Sequence, residues 1–230
     1  MNKYKTIKEY MENGSIEKFI NDYKISIESL YTGNIIKLAS EGWTIPPFIN
    51  WHKTLDELNK DHERLIKHWI SLYHKNESVL LNKIVSNCPE KWRFLLKECV
   101  DCYFDERYRI CIPALISMFE GLLSYKIFDF NVVNIRYTQP LENNINCNNY
   151  TGIDVILAIS LKEFTKHIFK NSLFSNDEPV DINRHWIAHG RSSVNVNKID
   201  VIKLFNAIAT ILWLSNSWAE IVCNDKAYNK

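Results

Sequence analysis

Two histidines and two arginines lie within eight residues of each other, between Arg184 and Arg191. His185 and His189 are four residues apart, so a helix places both imidazoles on one face. Histidine titrates near neutral pH and exchanges protons with reacting groups. Arginine carries a planar, permanently charged fork that binds phosphate oxygens. These residue types at this spacing indicate acid–base chemistry on a phosphate ester.

Two other interpretations of the same segment are open. In one, Trp186 and Ile187 belong to the core, and the polar side chains around them cap a helix or pair with carboxylates. In the other, Asp181, His185 and His189 form one stripe of metal ligands at i, i+4 and i+8. Zinc accepts such ligands, but it also needs a third strong ligand and an orienting shell of hydrogen bonds. The segment lacks the glutamate of an H-E-x-x-H motif.

The phosphate-ester interpretation gives each polar residue a role. Arg184 binds the phosphate and stabilises the charge that develops in the transition state. His185 and His189 supply the base and the acid, and Gly190 lets the backbone approach the phosphate closely. Arg184 and His189 are about 140° apart around a helix. They converge only through the length of arginine, through the end of the helix at Gly190, or through a second copy of the chain.

The elements that position this segment are helices, because apolar residues recur at helical spacing along most of the chain. We predict helices over Ser15–Tyr31, Thr54–His74, Glu77–Val85, Pro89–Phe104, Arg107–Phe128, Ile153–Lys170, Asp181–Ala188 and Lys198–Cys223. Pro46 and Pro47 break the pattern between Glu41 and Trp51, and Pro113 predicts an early kink in its helix.

Composition limits both the fold and the function. Of the 230 residues, 46% are hydrophobic and 24% are charged, which is typical of a globular protein and excludes extensive disorder. Only 6 glycines and 6 prolines occur, which argues against many short strands. We therefore predict an all-α protein, with an N-terminal helical region over residues 1–86 and a helical bundle over residues 87–230. The net charge of +1 confines any nucleic-acid site to a local patch.

One irregular segment interrupts the bundle. The asparagine-rich stretch Asp129–Tyr150 is long enough to be a functional loop, and Val132–Tyr137 within it could form a short strand. Gly190 is placed to end the short helix that carries the histidines.

The cysteines and apolar stretches indicate a reduced compartment. Cys99 and Cys102 form a C-x-x-C pair, but no second pair lies at zinc-ribbon distance. We interpret the cysteines as buried, reduced thiols. The start of the chain lacks the apolar run of a signal peptide, and no apolar stretch is long and uninterrupted enough to span a membrane. We expect a cytoplasmic protein without a cofactor.

The sequence resembles HEPN domains, which are helical-bundle ribonucleases of bacterial toxin, abortive-infection and antiviral systems. The run from Arg184 to His189 (RHWIAH) matches their R-(polar)-x-x-x-H signature, and the wider NRHWIAHGRSS is similar to the N-R-H-x-x-x-H-G-R-S segment of phage-defence types. The upstream ERYRICIPALISMFEGLL resembles their helix with an E-G-L sequence. EGWTIPPFINW is similar to a W-x-I-P segment of the same group. The likeness covers about Pro89–Cys223.

The resemblance implies a HEPN-like bundle that cleaves RNA without metal and leaves a 2′,3′-cyclic phosphate and a 5′-hydroxyl. Arg184 and His189 take the two signature positions, and His185 takes the variable polar position. The family usually joins the signature helices of two protomers in a composite site, so we expect a homodimer. Glu120, in the E-G-L sequence, becomes a candidate for orienting Arg184 or a histidine. The alternatives for Glu120 are a buried salt bridge to Arg107 or Arg109, or an ordinary charge on the helix surface.

Asn183 and Arg191 flank the signature and are supporting residues. Family members that a partner nucleotidyltransferase silences carry a tyrosine at the position of Arg191, so we expect no adenylylating partner of that kind. Arg191 either contacts the RNA backbone or complements the C-terminus of its helix. An inhibitor or trigger partner would hold a toxic nuclease quiet in its host.

Three functional hypotheses result. The first is a metal-independent endoribonuclease of a toxin or abortive-infection type. The second is a non-catalytic HEPN-like module that binds RNA or a nucleotide, or assembles with a partner. The third is a metal-dependent hydrolase that uses Asp181, His185 and His189.

Overall fold

The computed structural model describes residues 30–127, 150, 153–170 and 172–215. Within these ranges the chain is helical and contains no strand, so the all-α prediction is confirmed. Residues 30–40 are helical and are called α1. The helices that follow in the described residues are α2 (Trp51–Leu58), α3 (His62–Asn87), α4 (Glu90–Phe104), α5 (Tyr108–Ile127), α6 (Ile153–Ile168), α7 (Arg184–Ala188) and α8 (Lys198–Leu214).

Helix α8 lies at the centre of the bundle, because apolar residues cover nearly its whole circumference. Its most extensive contact is with α5, and it also packs against α3 and α6. Helix α4 forms a hairpin with α5. The core is one continuous cluster from Ile35 to Leu214, to which residues on both sides of position 86 contribute. The domain boundary stays a prediction.

The proline-containing segment after α1 crosses the core without being helical. Trp43 and Ile45 are buried, and their neighbour Thr44 is buried with them. The Asn206 side-chain amide of α8 donates to the Thr44 carbonyl oxygen at 2.6 Å and to its hydroxyl at 2.9 Å. The backbone N–H of Ile45 donates to the Ser160 hydroxyl at 2.8 Å. These bonds satisfy backbone groups that no helix could satisfy, so the segment is fixed between α6 and α8.

One predicted helix is divided in the structure, and one predicted break is present as a kink. The predicted helix Thr54–His74 is two helices, because the Asp61 side chain accepts from the backbone N–H of Arg64 and starts α3. Helix α3 then runs on through Glu77–Val85, and the break predicted before Glu77 is a kink within it. It bends at Asn76, whose dihedral angles (φ −126°, ψ 22°) are not helical.

Most of the other boundaries agree with the prediction within a few residues, but α8 ends at Leu214, with Ser215 as its C-cap, and not at Cys223. Helix α5 continues through Pro113, where the sequence predicts a kink, and α6 ends two residues early. The predicted elements before residue 30, between residues 128 and 149, and after residue 215 lie outside the described residues. No described helix is both long and apolar enough to cross a membrane.

Candidate functional site

The five-residue helix α7 carries the signature, and Asn183 caps it. The Asn183 side-chain oxygen accepts from the backbone N–H groups of His185 at 3.1 Å and Trp186 at 3.3 Å. Its amide nitrogen donates to the carbonyl oxygen of Lys170, just after α6, at 2.9 Å. Asn183 is buried, so it satisfies the free N–H groups at the helix start and ties α7 to the bundle. The structure thus gives Asn183 a positioning role.

Arg184 and Glu120 form a bidentate ion pair between α7 and α5. The Nε of Arg184 donates to one carboxylate oxygen of Glu120, and an Nη donates to the other at 3.2 Å. The Arg184 side chain is 34% exposed and that of Glu120 is 17% exposed. The guanidinium carbon also lies 5.9 Å from the centre of the Phe169 ring. Glu120 therefore contacts Arg184, which is one of the partners that the sequence predicts for it.

The two histidines belong to a ring cluster, defined as Phe174, His185, His189 and Arg191. The His185 ring stacks on Phe174, with ring centres 4.5 Å apart and planes 11° apart. The His189 ring lies edge-on, 5.3 Å from Phe174 and 4.7 Å from His185. The guanidinium carbon of Arg191 lies 4.1 Å from the centre of Phe174. Within the described ranges, no carboxylate pairs with His185, His189 or Arg191.

Phe174 is the residue that the sequence-based prediction misses. It lies between α6 and α7, in a polar stretch predicted only as a loop. The rings of Trp186 and Phe174 meet edge to face, with their centres 5.4 Å apart. The indole nitrogen of Trp186 also donates to the Ser172 hydroxyl at 3.1 Å. The available signal was a large aromatic residue in an otherwise polar loop, next to the exposed Leu173.

Gly190 ends α7 as predicted, and it does so through a left-handed turn. Its φ is +65°, a conformation that glycine adopts without steric cost. The Gly190 N–H donates to the Ile187 carbonyl at 3.0 Å, and the Arg191 N–H donates to the Trp186 carbonyl at 2.9 Å. This pair of bonds is the Schellman motif. A Cβ at Gly190 would meet no atom within 4 Å, so the backbone conformation, and not crowding, requires the glycine.

Arg184 and His189 belong to separate contact groups within one chain. Arg184 reaches across to Glu120 on α5, whereas His189 packs against Phe174 and His185. The length of Arg184 is therefore used to reach the bundle and not to approach His189.

Asp181 does not join the histidines in a metal site. It precedes the cap residue Asn183, so it lies outside α7, and its carboxylate is 3.9 Å from His167 Nε2 on α6. The predicted helix start at Asp181 is wrong, and the stripe of three ligands does not form. Across the described residues, no group of three His, Cys, Asp or Glu could hold a metal ion.

The C-x-x-C pair lies on α4 and consists of free thiols. Burial raises the pKa of Cys99 to about 12, and the neighbouring Cys111 adds to this effect. Burial also raises the pKa of Cys111 to about 11. Such thiols stay protonated at neutral pH and are poor nucleophiles and metal ligands. The predicted burial is confirmed for Cys99 and Cys111.

A second polar region, which we call the charged cleft, lies where residues near the end of α1 meet α6 and α8. It contains about 340 Å³ of empty space open to solvent. Its floor is apolar, and its ionisable lining consists of Glu41, His167, Asp181, Asp200 and Lys203. Sequence analysis gave no indication of this cleft, because its residues are far apart in the chain.

Opposite charges are paired in the charged cleft. His167 faces Asp181, and the Lys203 ammonium lies 3.7 Å from an Asp200 oxygen. A Glu41 oxygen lies 2.9 Å from the Nε2 of His62, next to the cleft. Burial lowers the pKa of His167, although the Asp181 carboxylate opposes the shift. Each ionisable side chain that lines the cleft therefore has a partner within the fold.

Comparison with protein-family models, with curated proteins and with solved structures finds no match to this chain. Paired imidazoles can give and take protons, and guanidinium groups bind anions. Both groups lie at α7, where each helix end is fixed by hydrogen bonds.

Proposed function

We propose that this protein is a metal-independent endoribonuclease of the HEPN type, with a toxin or abortive-infection role. The observation that carries the proposal is the pair of imidazoles, with the ring centres of His185 and His189 4.7 Å apart. The His189 side chain is exposed and His185 is half-buried. Two imidazoles at this separation can act as proton acceptor and proton donor on one phosphodiester.

The proposed reaction has a balanced set of proton transfers. One neutral imidazole takes the proton of the RNA 2′-hydroxyl, whose oxygen attacks the adjacent phosphorus. The second, protonated imidazole donates its proton to the departing 5′ oxygen as the bond between phosphorus and that oxygen breaks. The products are a 2′,3′-cyclic phosphate and a 5′-hydroxyl, and no metal takes part.

Arg184 has the second role in this proposal. Its guanidinium stabilises the negative charge that develops on the phosphate oxygens. The ion pair with Glu120 supports this role because it fixes the direction of the side chain before substrate binds. Since Arg184 and His189 have separate contacts within a chain, we propose a homodimer in which the Arg184 of one copy serves the His189 of the other.

We further propose that the reaction takes place in the cytoplasm, with RNA as the substrate. An inhibitor or trigger partner would control it. The short loop and helix end around His189 and Gly190 are exposed, which supports access by a large substrate. Residues 1–86 have no assigned chemistry.

The decisive experiment is incubation of the full chain with total RNA in EDTA, with the ends of the products mapped. We expect discrete cuts that end in cyclic phosphate, and loss of those cuts in Arg184→Ala and His189→Ala. Arg64→Ala, which removes an exposed charge on α3, is the matched control and should cut normally. Cutting by Arg184→Ala at the wild-type rate would overturn the proposal. RNA binding without cutting would favour the non-catalytic module.

Co-expression of two inactive variants tests the composite site. A mixed dimer of Arg184→Ala with His189→Ala contains one site with both residues intact. Random pairing should therefore restore about a quarter of the wild-type activity. No recovery from a verified mixed dimer would show that each chain forms its own site.

A further inference from the structure

We infer that Arg191, with His185 and His189 of the same chain, forms a phosphate-binding site on the ring cluster. The site would hold the phosphate of a nucleotide or of an RNA backbone. Its use in strand cleavage rests on the proposed function, but its ability to bind phosphate does not. Three observations support it: the turn that places Arg191, the ring that holds it, and the contrast with Arg184.

The backbone turn at Gly190 fixes where the Arg191 side chain begins. The Arg191 N–H is bonded to the Trp186 carbonyl, so its backbone is held against the last turn of α7. The left-handed φ of Gly190 makes this return possible. The side chain of Arg191 therefore starts next to the two histidines and not at an arbitrary position in the following loop.

One ring contacts all three basic side chains. Phe174 stacks on His185, meets His189 edge-on, and lies 4.1 Å from the guanidinium carbon of Arg191. A cation over an aromatic ring is attracted to the ring face, but that face accepts none of the in-plane hydrogen bonds of the guanidinium. Phe174 thus holds the group in place while its N–H donors stay available for phosphate oxygens.

The two arginines at α7 differ in their partners. Arg184 uses one edge of its guanidinium, formed by Nε and an Nη, on both oxygens of Glu120. Arg191 has no carboxylate partner within the described residues. The Glu178 carboxylate accepts from the Ser193 N–H and hydroxyl and from the Val194 N–H, and within the described residues it forms no ion pair with Arg191. The positive charge of Arg191 is thus left for an external anion.

Phosphate titration followed by NMR of the histidine rings tests the inference without requiring catalysis. Inorganic phosphate is the probe, and the resonances of His185 and His189 are assigned with single His→Asn variants. We expect both resonances to move in the wild-type chain and the apparent Kd to rise at least about tenfold in Arg191→Ala. Arg64→Ala should bind phosphate as the wild type does. Equal binding by Arg191→Ala, or no movement of either histidine, would overturn the inference.

Kinetics on a cleaved RNA connect the site to the proposed function. Arg191→Ala should lower kcat/KM by about 10²-fold, and Arg191→Lys should recover part of that loss because it restores charge without the planar fork. Full wild-type cleavage by Arg191→Ala would refute the catalytic role of Arg191 and leave the endoribonuclease proposal intact. Absence of cleavage by the wild type would refute the endoribonuclease and leave the phosphate titration to decide on the site.

A second mixing experiment tests whether the three residues act within one chain. In a mixed dimer of Arg191→Ala with His189→Ala, neither chain keeps both residues. We expect no recovery of activity, in contrast to the Arg184→Ala and His189→Ala pair. Recovery would show that Arg191 serves the histidines of the other copy and would overturn the assignment to one chain.

Discussion

The ring cluster and the charged cleft flank the same short stretch of chain, residues 181–191. The ionisable groups of the cleft pair with one another, whereas the basic groups of the ring cluster contact an aromatic ring. In the charged cleft, Lys203 lies near Asp200 and His167 lies near Asp181. In the ring cluster, His185, His189 and Arg191 meet an aromatic ring and, in the part of the chain that the structure describes, no carboxylate.

This difference bears on function because a charge that is already paired within the fold attracts an external ion less strongly. Ion pairs that are complete within the fold mainly fix the elements they join. Basic groups held by a ring keep their hydrogen-bond donors and their attraction for anions. The pairs of the charged cleft lie within α8 or join α6 and the end of α1 to neighbouring segments, so the cleft has the properties of a structural contact, whereas the ring cluster has the properties of a binding site. The histidines of the two regions provide a direct test.

The largest expected effect distinguishes His189 from His167. His189→Asn should lower RNA cleavage by about 10²–10⁴-fold, because it removes a proton-transfer group. His167→Asn should leave cleavage within about twofold of the wild type, since His167 pairs with Asp181 and lies outside the ring cluster. The measurement is the rate of product formation in EDTA under single-turnover conditions. Equal losses in both variants would abolish the distinction between the two regions.

The next effect concerns the ion pair that anchors α7. Glu120→Gln should lower the free energy of unfolding by about 1–2 kcal/mol, because Arg184 loses a charged, bidentate partner in a partly buried position. Urea denaturation monitored by tryptophan fluorescence measures this change. Glu63→Gln is the matched control, since its pair with Lys67 is exposed on α3, and it should cost less than about 0.5 kcal/mol. A loss for Glu120→Gln no larger than that of the control would mean that the pair does not anchor α7.

Helical periodicity was sufficient to predict most of the bundle. The predicted hairpin of α4 and α5 agrees with the structure within a few residues, because both helices keep one apolar face throughout. Periodicity failed at residues 59–61, where the apolar pattern continues in phase across a turn. Asp61 there caps a new helix, and Asn183 similarly starts α7 later than predicted. Attention to capping side chains would have corrected both boundaries.

The candidate site was predictable in part. His185 and His189 are four residues apart, so their proximity follows from helical geometry. The contact of Glu120 with Arg184 came from the resemblance, because 64 residues separate them. Phe174 could not be predicted in this way, since a single aromatic residue in a loop has no periodic pattern. The charged cleft could not be predicted either, because its residues are far apart in the chain and only tertiary packing brings them together.

The smallest expected effect tests the charged cleft through pH. Burial lowers the pKa of His167 below 6.5, while Lys170 and Lys203 add to the shift and Asp181 opposes it. The unfolded chain therefore binds a proton at a higher pH than the folded chain does. The contribution of neutral His167 to folding stability is present above the pKa of this imidazole in the unfolded chain. It is lost as the pH falls through the lower pKa of the folded chain. His167→Gln should accordingly lose less stability than the wild type between about pH 7 and about pH 5.

Asp181→Asn should have the opposite effect on the same measurement. Removing the carboxylate lowers the pKa of His167 further, so the loss of stability on acidification should be steeper than in the wild type. Urea midpoints at the two pH values give the slopes for all three chains. A wild-type slope in His167→Gln would mean that His167 does not titrate differently on folding. A shallower slope in Asp181→Asn would mean that its carboxylate, and not the imidazole, governs the acid response. Either result would weaken the view of the cleft as a structural contact, because that view requires His167 and Asp181 to be coupled.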